Sequence, residues 1–278
     1  MRHAVPALAL VAACLLATPP PVHAAESYDS CSGFIQTLPA VIDQQGTWCL
    51  RADLGTNIES GNAISVTTNN VTIDCNGFKL GNLQASDDNA ATGIHADGRN
   101  SVVVRGCNIR GFGVGLALGG EGHRVEGNGV RYARQTGIVV SGSRNIVRDN
   151  HVVETIAAGS ATGISAAGEA DITGNIVDGV LGGQGEAVGI VVSTHQNTVV
   201  RGNTVRGVLG AFGTASHGIR VADELTHALV ADNYLGGVSS AVGFGVHCSD
   251  DDVVVRDNTI VGFQTSMNCT DSGGNVAP

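Results

Sequence analysis

Short runs of alternating apolar and polar residues recur along most of this chain, and they recur in a fixed order. One six-residue pattern (aliphatic, any residue, Gly or Asp, Asn, any residue, aliphatic) stands at 125–130, 147–152, 172–177, 200–205, 230–235 and 255–260. Its amides are Asn128, Asn150, Asn175, Asn203, Asn233 and Asn258, and at 104–109 Cys107 takes the Asn place. Each copy follows a Gly-aliphatic pair: Gly93-Ile94, Gly115-Leu116, Gly137-Ile138, Gly163-Ile164, Gly189-Ile190, Gly218-Ile219 and Gly245-Val246. Successive pairs lie 22 to 29 residues apart, a period that marks a stacked repeat. That period is too short for a strand, a packed helix and two turns, and β-branched residues dominate the alternating positions. Each repeat therefore reads as three short strands: one at the Gly-aliphatic pair, one ending at Gly or Asp, and one just after the Asn. The Asn is expected in the left-handed conformation that a sharp bend needs, with stacked amides hydrogen-bonding along a column.

These features resemble the right-handed parallel β-helix proteins of the pectin-lyase-like superfamily. The resemblance rests on the Asn column and the Gly-aliphatic strands from about Ile64 to Cys269, and on the opening segments 46–50, 63–66 and 71–77. It implies an all-β chain wound as a single-stranded right-handed parallel β-helix, three short strands per coil and about eight to nine coils. The expected division is a signal peptide at 1–24, an N-terminal cap and opening segment at 25–62, and the β-helix at 63–278. A polar last coil, 264–271, is expected to blunt the exposed edge. The superfamily holds lyases, hydrolases, epimerases and phage tailspikes, so the resemblance implies a fold rather than an activity.

Composition narrows the partners. With 42% hydrophobic and 14% charged residues the chain has apolar surface to bury, which excludes disorder; 40 Gly without a Gly-X-Y period exclude collagen. A net charge of −10 argues against nucleic acid and anionic membranes as partners. Arg2 and His3, the apolar run 7–17 and Val22-His23-Ala24 read as an export signal, placing the protein in the periplasm or outside the cell. Val11-Ala12-Ala13-Cys14 leaves lipid anchoring at Cys14 as the alternative, and no later segment is apolar for long enough to span a membrane. Six of the seven Cys follow residue 24, an even number suited to disulfides. Their places in the repeat pair Cys248 with Cys269 and Cys75 with Cys107 in neighbouring coils, leaving Cys31 and Cys49 to staple the opening.

In enzymes of the resembled superfamily the substrate cleft runs along the outer face of the first strand, beneath loops that follow the third. Here those loops lengthen, as at 178–187 and 207–217. Alternation turns His95, Ala117, Val139, Ser165, Val191, Arg220, His247 and Asn268 outward on the first strand, a bland face except at its C-terminal end. His217, Arg220 and His247 are the candidate catalytic residues: an Arg neutralises a uronate carboxylate while a His removes the α-proton, the start of β-elimination. A solvated edge of ordinary charges is the competing reading. Asp223 and Asp250 are candidate substrate-binding residues and, with Asp271, stack at about one coil spacing, ~4.8 Å. No cofactor is expected; Ca²⁺ on those stacked carboxylates is the alternative. Tyr132 and Phe244, like Phe112, Phe212 and Phe263, are expected in the loops after the third strand, gripping sugar rings or covering the core.

Gly-His-Gly and Arg-x-Lys of polygalacturonases are absent, as is Asp-Pro-His-Glu of mannuronan epimerases; Gly122-His123-Arg124 comes nearest. Three functions fit: an exported module contacting polysaccharide or cell-envelope material, a lyase or epimerase acting on uronate-containing glycans, and a structural surface or assembly protein.

Overall fold

A computed structural model of the chain describes residues 28–193, 197–222, 227–238, 242–249 and 252–277. All strand pairings there are parallel. The third strands form one sheet of nine, hence nine coils, while first and second strands merge into one sheet through long segments such as Thr136–Arg148 and Ala161–Thr173. Parallel stacking already begins at Gly33, where Gly33–Ile35 pairs with Gly46–Leu50 and Ala40–Ile42 with Asn62–Val66. Among the described residues no helix is long and apolar enough to cross a membrane.

The register explains the composition. Ile94, Leu116, Ile138, Ile164, Ile190 and Ile219 are Cα partners from coil to coil, all fully buried, so each aliphatic lies on its homologue in the next coil. Val125, Val147, Ile172 and Val200 make the same column on the second strands, and Val130, Val152, Val177 and Val205 on the third. The glycines show how narrow the interior is. A Cβ on Gly163 would stand 2.4 Å from Val177 Cγ1 and 2.5 Å from the Gly189 carbonyl; on Gly189 it would meet Val205 at 2.3 Å and the Gly218 carbonyl at 2.6 Å. Neither glycine has a positive φ, so the repeat demands Gly there for close approach between walls and coils.

The Asn column forms as expected, but the bend is made elsewhere. The left-handed residues are those preceding each Asn: Gly127 (φ 63°), Asp149 (56°), Gly174 (66°), Gly202 (66°), Asp232 (57°) and Asp257 (57°). That residue turns the chain and leaves the Asn side chain pointing inward, where Asn175 is fully buried. Its Nδ2 donates to the Val147 carbonyl at 2.9 Å and to Asn203 Oδ1 at 3.0 Å, and its Oδ1 accepts both the backbone N–H and Nδ2 of Asn150 at 3.0 Å. Cys107 starts this ladder by donating its N–H to Asn128 Oδ1. Asn275, outside the sequence pattern, ends it by accepting from Asn258. The stack therefore runs past the polar coil 264–271, with Val276 bridging Thr259. A shorter ladder at the corner between first and second strands uses His123, whose N–H donates to Asn145 Oδ1 and whose Nδ1 accepts from the Val102 N–H. This places the histidine of Gly122-His123-Arg124 inside the wall.

All three disulfides join the expected partners: Cys31–Cys49, Cys75–Cys107 and Cys248–Cys269, with Cα separations of 5.9, 4.7 and 5.2 Å. The lengthened segments after the third strand are partly strand themselves. Ile176–Gly182 and Thr204–Leu209 extend that sheet and bury Val180 and Val208.

Asn175→Ala removes the acceptor of two buried donors and is expected to cost about 3 kcal/mol in denaturant unfolding, against about 0.5 or less for Thr204→Ala in the next coil. Gly163→Ala is expected to cost about 1–3 kcal/mol by overpacking.

Candidate functional site

The outward column expected on the first strand forms as read: Val139, Ser165, Val191, Arg220 and His247 are successive Cα partners. A second outward column runs beside it through the residue before each glycine: Val114, Thr136, Thr162, Val188, His217 and Phe244. Strict alternation misses this column, because at each glycine two consecutive residues face inward. Phe244 therefore lies in the first strand of its coil, Gly243–Cys248, and not in a loop after the third strand. The signal that would have found it is the position immediately before each repeat glycine.

The two columns bring His217, Arg220, Phe244 and His247 together. The His217 and Phe244 rings stack with centroids 5.5 Å apart and planes inclined by 11°; His247 lies 4.8 Å from His217 and 5.0 Å from Phe244. His217 is only 3% exposed, so a bound molecule would meet Phe244 and His247, which are half-buried. Arg220 Nη1 donates to Glu186 Oε2 at 2.5 Å. Glu186 escaped the sequence reading because 34 residues separate it from Arg220, and only coil stacking closes that gap. Nδ1 of His217, Nδ1 of His247 and Nε of Arg220 are all buried without a hydrogen-bond partner.

Burial pushes the His217 imidazole from its usual 6.5 down to about 4; the charges of His247 and Arg220 act in the same direction and Glu186 opposes them. His247 is lowered by burial and then by Arg220, again against Glu186. A lowered His247 favours the neutral ring at neutral pH, able to accept a proton or lie flat on a sugar. His217, walled in by its neighbours, packs against the other two rings.

Other candidates among the described residues do not join this group. Tyr132 occupies the corner after the third strand, coils away, where its ring lies 5.8 Å from the Arg110 guanidinium. Asp223 and Asp250 lie outside the described residues. Asp271 bridges Val255 on a second strand, and its carboxylate accepts from Gly273 N and Asn275 Nδ2, so it closes the last turn. Phe112 is buried in the core and Phe212 is fully exposed.

A family model described as right handed beta helix region matches residues 50–205 and 92–277. No curated protein matches the chain in sequence. Among solved structures, the Dettilon tailspike protein is similar over 88% of this chain at 14% identity, with a TM-score of 0.57; the match covers 60% of the tailspike, so this chain spans less than two thirds of it. The DFA-IIIase of Arthrobacter chlorophenolicus without its lid is similar over 83% of this chain and 67% of its own, at 12% identity and TM-score 0.45. The periplasmic alginate epimerase AlgG is similar over 85% and 75%, at 13% identity and TM-score 0.43. These are likenesses of fold.

A histidine whose folded pKa lies below its unfolded value leaves stability untouched above 6.5 and erodes it as the unfolded chain takes up the proton, from 6.5 down to about 4 for His217. The melting temperature is therefore expected to fall across that window. His217→Phe, which keeps the stack on Phe244, should flatten the fall, leaving the smaller contributions of His123 and His247. An unchanged slope in thermal melts at pH 7, 5.5 and 4.5 would contradict the assignment.

Proposed function

This chain belongs to the right handed beta helix family, and we propose that it is an exported module, periplasmic or extracellular, contacting polysaccharide or cell-envelope material at the C-terminal end of its first-strand face. The observation that carries this reading is the pair of half-buried rings, Phe244 and His247, set 5.0 Å apart on rigid strands beside the Arg220–Glu186 ion pair. Half-buried rings offer apolar area to a sugar, and the flanking ion pair offers donors and acceptors to its hydroxyls. Strand mounting holds these groups without ordering a loop, which lowers the entropic cost of binding. Three disulfides support export, since such bonds persist in oxidising compartments.

One observation favours a second reading, a lyase or epimerase acting on uronate-containing glycans. His247, its pKa lowered, sits one coil from Arg220. In the lyase form, His247 takes the proton α to the carboxylate while Arg220 neutralises the developing charge. The electron pair then forms a double bond as the glycosidic C–O bond breaks, and the leaving oxygen is protonated.

Calorimetric titration of alginate, pectate and neutral glucan oligosaccharides tests the first reading. Phe244→Ala and Arg220→Gln are expected to weaken binding about ten-fold or more; unchanged affinity in both would defeat it. Ultraviolet absorbance of unsaturated uronate tests the lyase form: turnover abolished by His247→Ala supports it, and silence on all the acidic glycans removes it.

A further inference from the structure

Arginines on the outer surface of this protein usually meet a carboxylate from a neighbouring coil: Arg105 with Asp74, Arg148 with Glu126, Arg201 with Asp232. On the third-strand sheet Arg206 and Asp178 are Cα partners and pair at 2.8 Å. The same column departs from this rule two coils earlier. Arg110 and Arg131 are Cα partners of each other, the next positions are Gly81 on one side and Val153 on the other, and neither arginine has an ion pair among the described residues. Like charges set directly opposite on adjacent strands are destabilising. A chain of net charge −10 has acidic residues to spare, yet it places none between them.

The surroundings are shaped to receive something. Lys79, Asn108, Arg110, Gly129 and Arg131 line a depression of about 250 Å³ with no carboxylate in its wall. Gly129 follows Asn108 in the next coil and contributes no side chain, which opens the hollow. Arg110 Nε is buried without a hydrogen-bond partner, and Lys79 at the rim shares its charge with Asp53 at 3.0 Å. Beside the hollow stands Tyr132, a bulky residue held at φ 54° where the corresponding corner of the preceding coil has Gly111 (φ 79°). A bulky residue in that region is strained, and here its ring lies 5.8 Å from the Arg110 guanidinium.

We propose that Arg110, Arg131 and Lys79 form an anion-binding site for an acidic polysaccharide, the two guanidiniums taking a carboxylate or sulfate and Tyr132 lying against the sugar that carries it. Planar guanidiniums bind such oxyanions through paired, charge-assisted hydrogen bonds. Stacking repeats the cations at about 4.8 Å along the sheet, which suits a polymer bearing one anion per sugar better than a single small ion. The site lies on a different sheet and different coils from the His247 cluster and does not depend on it.

Calorimetry on the full chain with polyuronate oligosaccharides, inorganic sulfate and short single-stranded DNA at one salt concentration tests the assignment. In a Phe244→Ala parent, which reads this site alone, the double variant Arg110→Gln/Arg131→Gln is expected to lose about ten-fold or more in polyuronate affinity. Arg206→Gln, in the same column but paired with Asp178, should bind as the parent does. Tyr132→Ala should weaken polyuronate and spare sulfate. Phe244→Ala separates the two sites, because it leaves the Arg110/Arg131-dependent fraction in place. Equal binding by parent and double variant, absence of polyuronate binding in the parent, or DNA binding as tight as polyuronate would each overturn the proposal. Thermal melts of each variant establish that it folds.

Discussion

A buried amide that gives up water must find its partner one coil away, and much else in this molecule follows from that requirement. Each Asn of the interior ladder satisfies the backbone N–H and the side-chain amide of the Asn in the preceding coil, and returns its own Nδ2 to a carbonyl. The penalty for an unmet buried donor is what makes the register unique. A coil displaced by one residue would break its rung of the ladder and also turn its aliphatics outward. Cys107 shows what the position needs: it keeps the N–H donor for Asn128, gives up the amide, and is tied to Cys75 by a covalent bond instead.

A tight interior confines chemistry to the outside. First-strand glycines let the backbone approach the Val side chains of the third strand to within what a methyl group would occupy, so the core is built mainly from Val, Ile, Leu and Ala. Large polar groups inside are held in ladders, as His123 is. Function on such a scaffold is written in outward columns, where a residue's neighbours are its equivalents one coil away rather than its neighbours in the chain. After His95 near its start, the first-strand face carries Thr, Ser, Ala and Val in those columns until the last coils, where His217, Arg220, Phe244 and His247 replace them.

The same rule governs the charges. Stacked partners of opposite sign recur on the second and third strands, each exposed pair contributing little on its own. Against that background the Arg110–Arg131 partnership stands apart, two like charges set in register on adjacent coils.

Much of the fold was legible in the chain itself, because a period-two strand pattern and a repeated Asn each report a local requirement that every coil meets alike. Two of the disulfides, the coil count and the column from Val139 to His247 follow from counting within the repeat, and Cys31–Cys49 is what then remains. Other features escaped it. The left-handed bend belongs to the Gly or Asp before the Asn, since an inward amide and a left-handed turn are assigned to successive residues. Phe244 faces outward because two successive residues at the glycine point into the core. Glu186 reaches Arg220 across 34 residues, and Tyr132 meets Arg110 rather than His217. Sequence by itself determined what each coil repeats; the tertiary structure alone decided which unlike side chains meet, because contact between coils depends on how many residues each coil contains, and that number varies from one turn to the next.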